Sequence, residues 1–269
     1  MNYVKCVFII ISLALSNLKA ADGPCNEVFE DYFKKRDEGD VTRNILEYVR
    51  MLGPRFEKHL LSLKNEGQIV DFGSGESYFL KMYLLTYDEA NQIPAKPDTQ
   101  SFEIKQKLME KLYSIPKEKR ANVTGITYNI HNKFPTEEKK AQILSGRYFE
   151  EIPEEEIPFF DIGTDLFGIG AYTRRPDLYF QKVFNRMKPD GVLYTNIYPI
   201  YSKIKTEKGV KNLYEWLAEI PGVNAEKAIS GFYMQFSKKN GVQIKVPKLK
   251  FISEPDGEYP PRRFFVEEK

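Results

Sequence analysis

Residues 69–77 read Ile-Val-Asp-Phe-Gly-Ser-Gly-Glu-Ser, an apolar pair running into an acid and then a glycine-rich turn. A strand ending this way suits a nucleotide-like ligand. Gly73 and Gly75, flanking Ser74, let the backbone approach closely, and amides at the following helix N-terminus face the ligand. Asp71 is expected to accept hydrogen bonds from those amides and hold the loop rigid. Its charge opposes a pyrophosphate and suits a cationic or zwitterionic ligand. Tyr78 stands where a dinucleotide loop needs its third glycine, and no Gly-Lys-Ser/Thr element follows, which excludes dinucleotide and NTP phosphate loops. The GxSxG, HExxH, CxxC and EF-hand patterns are absent, and neither His59 nor His131 has a metal-spaced partner, so no metal site is expected.

The elements that must position this loop follow from periodicity. Ile45, Val49, Leu52, Phe56, Leu60 and Leu63 recur at spacings of three and four, which predicts a helical stretch kinked or divided at Pro54. Strands are expected over 68–72, 123–128, 142–148, 159–165 and 192–197. Helices are expected over 77–91, 102–113, 136–141, 176–187 and 206–220, with a tight turn at 188–191. Asn240-Gly241 predicts a closing hairpin between strands 230–236 and 242–246. Alternating strands and helices imply an α/β fold, a doubly wound, seven-stranded and mostly parallel sheet with an antiparallel edge hairpin and a helical N-terminal extension. The carboxyl ends of its strands, where the loop lies, are where ligands bind.

Residues 1–20 differ in character: Lys5, an apolar run, then small residues at Ala20-Ala21, the pattern of a signal peptide and too short for a comfortable span. The alternatives are an uncleaved anchor or a buried helix. The expected division is a signal peptide (1–20), a helical extension (21–66), the α/β domain (67–250) and a C-terminal tail (251–269). The two cysteines are Cys6 and Cys25, so a cleaved chain carries one thiol and no internal disulfide. Its one glycosylation sequon, at Asn122, falls in an expected buried strand, which favours a bacterial, exported (periplasmic or secreted) protein. Removing residues 1–20 takes Lys5 and Lys19 and leaves 38 basic and 38 acidic side chains. A neutral chain disfavours a nucleic-acid partner.

With these residues assembled, the chain resembles the class I S-adenosylmethionine-dependent methyltransferases. Ile69 to Ser77 resembles that family's first motif. Phe160 to Gly168 resembles its fourth-strand motif. VFNRMKPDGVLY, within 178–193, resembles the helix and turn before the fifth strand. The resemblance implies a Rossmann-like fold, S-adenosyl-L-methionine as cofactor, and methyl transfer to a small-molecule or protein acceptor that the sequence does not identify. It also implies a cofactor site of Asp71, Gly73, Ser74, Gly75, Thr127, Tyr148, Phe149, Asp165 and Phe167. Tyr148 or Phe149 would stack on adenine, and Glu150 would accept from its amino group. Asp165 either caps its loop or stands at the methyl-transfer site. The chain departs from the family in two places. Ser77 stands where many members have glycine, and Thr127 with Asn129 replaces the acid that binds both ribose hydroxyls, which predicts weaker binding. No catalytic residue is assigned. Export separates the chain from a cofactor made in the cytosol. This leaves three readings: an enzyme delivered to a cofactor-bearing compartment, a catalytically inactive methyltransferase-like binding protein of the cell envelope, or a domain held in the cytosol by an anchor.

Overall fold

The computed structural model describes residues 43–86, 88, 102–128, 140–196, 202–227, 233–239, 242–253 and 263–268. The expected signal peptide, Cys25, His131, Asn129, most of the 136–141 helix and the Asn240-Gly241 turn lie outside those residues.

Two helices come first, α1 (Ile45–Leu52) and α2 (Pro54–Ser62). Asn44 caps α1: its Oδ1 accepts from the amides of Leu46 and Glu47 at 3.0 and 3.1 Å, and the Glu47 carboxylate accepts from the Asn44 amide at 2.9 Å. Gly53, at φ +81°, separates the two helices, and Pro54 opens α2 where its missing N–H costs nothing. Of the two expected outcomes at Pro54 the chain takes division, and the apolar stripe survives it, burying Ile45, Val49, Leu52, Phe56 and Leu60.

The chain then builds β1 (Gln68–Phe72), α3 (Tyr78–Leu84), α4 (Phe102–Tyr113), β2 (Asn122–Thr127), β3 (Ala141–Ser145), β4 (Phe160–Asp165), α5 (Ile169–Tyr172), α6 (Pro176–Arg186) and β5 (Met187–Asn196). After these come β6 (Ser202–Thr206), β7 (Gly209–Asn212), α7 (Leu213–Ala218), β8 (Val223–Lys227), β9 (Tyr233–Lys238), β10 (Leu249–Ser253) and β11 (Arg263–Glu267). The main sheet runs β3-β2-β1-β4-β5-β9-β8. Strands β3 to β5 are mutually parallel, and β9 runs antiparallel to both β5 and β8. The first five strands follow the 3-2-1-4-5 doubly wound order, whose direction of winding reverses between β1 and β4. One core, with Val70, Phe72, Phe160, Tyr179 and Phe184, lies on one side of the sheet; the other, with Ile69, Val123, Ile162 and the buried faces of α1 to α4, lies opposite.

Three expectations are corrected. Residues 188–191 do not form a free turn; they belong to β5 and bulge there, since Phe160 pairs with Met187 but Ile162 with Val192. The helix expected over 206–220 begins as a hairpin, β6 to β7, because Gly209 adopts φ +117° and Thr206 Oγ1 donates to the Gly209 carbonyl at 3.0 Å. Only α7 remains helical, started by the Asn212–Glu215 capping box. The edge hairpin pairs β9 with β8, not with 242–246. That segment instead lends Ile244 and Val246 to the core, and Gln181 occupies its backbone, donating to the Ile244 carbonyl at 3.1 Å and accepting from the Val246 amide at 2.8 Å. Beyond what was expected, β10 and β11 join β6 and β7 in a second sheet of order β10-β11-β6-β7. No helix among the described residues is long and apolar enough to cross a membrane.

Candidate functional site

Strand periodicity decides where the two acids go. Side chains alternate across a strand, so Asp71 shares the face of Ile69, under α1. Tyr48, on α1, donates its hydroxyl to both Asp71 oxygens at 3.0 and 2.9 Å. Thr164, the register partner of Asp71 on β4, donates to Oδ1 at 2.7 Å. The loop amides expected on Asp71 are not its partners; two side-chain hydroxyls are. Asp165 follows Thr164 and points to the other face. It accepts from the amides of Gly168 and Gly170 at 2.9 and 2.8 Å and from the Tyr179 hydroxyl at 2.6 Å. Of its two expected roles, the loop cap is the one its contacts describe.

The hydrogen-bond sets tune the carboxyls differently. Burial pushes Asp71 up to about 7, against the lowering pull of Thr164 and Tyr48. Burial pushes Asp165 up to about 6, with Tyr179 and the two amides pulling it back. Burial, then the facing carboxylate, raises Tyr48 and Tyr179 well above the usual phenol value, so both remain donors.

The glycine loop is gripped on both sides. Gly73 and Ser74 both donate to the Ile126 carbonyl on β2, at 2.8 and 3.0 Å. A Cβ on Gly73 would meet the Gly168 Cα at 2.4 Å, and one on Gly168 would meet the Phe72 carbonyl oxygen at 1.9 Å. The absence of side chains at 73 and 168 therefore serves the approach of two loops to each other, where the sequence suggested approach to a ligand. Ser77 donates to Ser74 Oγ at 2.9 Å. Both hydroxyls sit over Gly125, where a Cβ would come within 2.8 Å of each. Ser77 holds φ +56°, which explains why glycine is at home at this position. Gly75 also takes positive φ, +52°.

The remaining expected residues separate. Thr127 is buried at the end of β2. Tyr148 stacks on Tyr128 with centroids 4.9 Å apart and 22° between planes. Phe149 is no adenine platform: it is 4% exposed and sits edge-on to Phe72 and Tyr179, at 5.8 and 5.1 Å, inside the core. Its apolar character, taken from the sequence as ligand-directed, serves packing. Glu150 accepts from the Thr173 hydroxyl. Phe167 adopts φ +55°, carries the Arg43 guanidinium 4.5 Å above its ring, and donates its amide to Asn196 Oδ1 at 3.2 Å.

Sequence reasoning missed Tyr48, Thr164, Tyr179, Tyr128 and Asn196. Thr164 lies beside Asp165 within the Phe160–Gly168 motif, whereas Tyr48 lies 23 residues from its partner with no local signal. Asn196, buried at the end of β5, has a side-chain Nδ2 with no hydrogen-bond partner. Such an orphaned donor calls for a reason, and an oxygen-bearing ligand supplies one. Among the described residues no His, Cys, Asp and Glu cluster could hold a metal ion.

No family model matches the chain, and no curated protein matches it. Solved structures do. The MycE methyltransferase of the mycinamycin biosynthetic pathway, in complex with Mg and SAH, is 12% identical over 74% of this chain, with a TM-score of 0.39; the match spans 55% of the MycE chain. Human N-acetylserotonin methyltransferase, in complex with SAM, is 13% identical over 84% of this chain and 62% of its own, at a TM-score of 0.36. Precorrin-6y C5,15-methyltransferase from Geobacter metallireducens is 12% identical over 69% of this chain and 87% of its own, at 0.34. The fold assignment rests on the strand order itself. That order is a doubly wound 3-2-1-4-5 sheet with a reversed strand beside β5 and a glycine loop after β1.

Proposed function

We propose that the chain binds S-adenosylmethionine at the carboxyl edge of β1 and β4 and, after export, transfers its methyl group to a small-molecule or protein acceptor. One observation carries the reading: the Asp71–Gly75 loop stands at the point where a 3-2-1-4-5 sheet reverses its winding, the place such sheets reserve for ligands. The residues fit the methionine half of the cofactor. Asp71 is a buried carboxylate hydrogen-bonded only by hydroxyls, so a nearby cationic ligand favours its charged form. Asn196 offers an unsatisfied donor to an oxygen. The nucleoside half fits less well, because neutral, buried Thr127 occupies the end of β2.

When bound, the cofactor supplies a methyl group on a sulfonium that leaves as a neutral thioether. The chain's own part is to hold the acceptor in line and exclude water. α1, tied across the edge by Tyr48 to Asp71, and Arg43 just before it, set over the Phe167 ring, support the second task. The export half of the proposal draws on Lys5, the apolar run and Ala20-Ala21, and mapping the N-terminus of the chain recovered from a bacterial envelope would test it.

Thr127 and the withdrawn Phe149 favour a second reading, a methyltransferase-like binding protein without catalysis. Calorimetric titration with S-adenosylmethionine and S-adenosylhomocysteine, with Gly75→Arg as control, tests the first reading. Micromolar binding lost in the variant upholds it, and no binding at millimolar ligand by a folded sample sinks it. Methyl transfer to any acceptor, lost on Asp71→Ala, would exclude the second.

A further inference from the structure

We propose that the outer face of the second sheet docks on a membrane, with Lys203, Lys205 and Lys250 meeting anionic lipid headgroups while Val210 and Ile252 enter the apolar boundary beneath them. The proposal concerns a different sheet from the one that carries the glycine loop and does not rest on the methyltransferase reading.

Strand register assigns the two faces. Side chains alternate along each strand. Ile204 on β6 and Phe265 on β11 are register partners, fully buried in the core that includes Trp216 and Leu217 of α7. Arg263 shares the Phe265 face and donates to the Ala171 carbonyl of α5 at 2.7 Å. Lys211, opposite Ile204 on β7, pairs with Glu219 just after α7. This is the inner face. The alternate residues point away from it: Lys203, Lys205, Val210, Lys250, Phe264 and Val266. Four of them form one row across the four strands, with Lys250 beside Val266, Val266 beside Lys205 and Lys205 beside Val210. Cation and apolar side chain thus alternate along the row. Val210 is 65% exposed, and Ile252, at the β10 bulge, is 51% exposed.

The charge on this face has one sign. The only acid in the four strands is Glu267, which lies on the inner face and accepts from Trp216 Nε1 at 3.4 Å. Glu207 and Glu268 stand beyond the strand ends. Lysines often guard edge strands against pairing with another chain. That role does not account for Lys203 and Lys205, because β6 is an interior strand.

The chemistry of the row selects the partner. A second copy of the chain would bring lysine against lysine. A single-stranded nucleic acid gains by stacking its bases on aromatic side chains, but the one ring on this face, Phe264, is half-buried and the most exposed apolar side chains are aliphatic. An anionic membrane uses both components. Lysines near its surface are drawn to the headgroups, and aliphatic side chains leave water for the boundary between headgroups and acyl chains.

The test is co-sedimentation of the full chain with vesicles of phosphatidylcholine alone and of equal parts phosphatidylcholine and phosphatidylglycerol. Two variants accompany wild type, Lys203→Gln/Lys205→Gln/Lys250→Gln and Val210→Ser/Ile252→Ser, with thermal melts to confirm folding. Wild type is expected to sediment with the anionic vesicles and not with the neutral ones, less so as salt is raised. The lysine variant should bind on the order of a hundredfold more weakly, and the aliphatic variant about ten-fold more weakly. Equal binding to both vesicle types, binding unchanged in either variant, or no binding by folded wild type overturns the proposal. So does capture of a single-stranded oligonucleotide or of polyglutamate, lost in the lysine variant, by a chain that leaves the vesicles in solution. A vesicle-free dimer that Val210→Ser/Ile252→Ser dissociates would assign the face to a second copy and overturn it as well.

Discussion

Asp71 and Asp165 lie at or one residue from the ends of adjacent parallel strands, both buried and both raised in pKa, yet they face opposite sides of the sheet and have different partners. Asp165 receives two backbone amides and one phenol, and the amides belong to the loop that starts α5. Its charge is spent on the shape of its own chain. Asp71 receives only hydroxyls, one of them from α1, an element that precedes the sheet altogether. Backbone amides stabilise a carboxylate firmly and cannot leave without unfolding the loop, whereas side-chain hydroxyls can rotate. The same residue type thus serves as a structural staple on one face and, on the other, as a buried carboxyl held only by side-chain hydroxyls.

The comparison can be broken at several points. The largest effect should come from the seam between the two loops. Gly168→Ala places a methyl 1.9 Å from the Phe72 carbonyl oxygen, and should cost about 3 kcal/mol or more in denaturant unfolding. A loss below about 1 kcal/mol would mean that the loops are not interlocked. Next, Asp165→Asn at pH 7 should cost about 2 kcal/mol, since an amide cannot accept from all three donors and brings donors of its own to face theirs. Asp71→Asn should be close to neutral at the same pH, since it removes a buried charge along with its bonds.

The pH dependence separates the pair further. The folded value of Asp71, about 7, lies above that of an unfolded aspartate, so folding favours its protonated form. Its contribution is fully present below about pH 4 and is lost as pH rises through about 7, at no more than about 1.4 kcal/mol per unit. Wild type should therefore gain stability relative to Asp71→Asn as pH falls from 7 to 5, read from paired thermal melts. His59, held low by burial, acts in the opposite direction but is common to both proteins. Tyr48→Phe should cost about 1 kcal/mol by removing the donor from Asp71, and should push the Asp71 value higher still. The smallest effect is expected at Ser77→Gly. Relief of its φ of +56° offsets the lost bond to Ser74, leaving a change within about 0.5 kcal/mol.

Local signals were legible and long-range ones were not. The bounds of β1 and α4 follow from their apolar pattern and flanking breakers, and β4 and α6 are off by one residue at most. Leu213, Trp216 and Leu217 carry a helical period, but extending it back to Thr206 overlooked Gly209, whose positive φ turns the chain into a hairpin. The second sheet was invisible because β6 and β11 are parallel partners about sixty residues apart, and nothing in either segment names the other. The same holds at the site. The glycine loop could be read as a loop, but Gly73 answers to Gly168 and Asp71 to Tyr48, contacts that exist only once the sheet has formed.

The proposed function turns on Asp71 answering to a bound cation while Asp165 does not. The direct measurement is a carbon-detected NMR titration of both carboxyls, without and with saturating S-adenosylmethionine. The prediction is that Asp71, near 7 in the free protein, falls by about one unit or more when the sulfonium ligand binds, while Asp165 stays near 6. An Asp71 value unmoved by bound ligand, or a shift confined to Asp165, would contradict it.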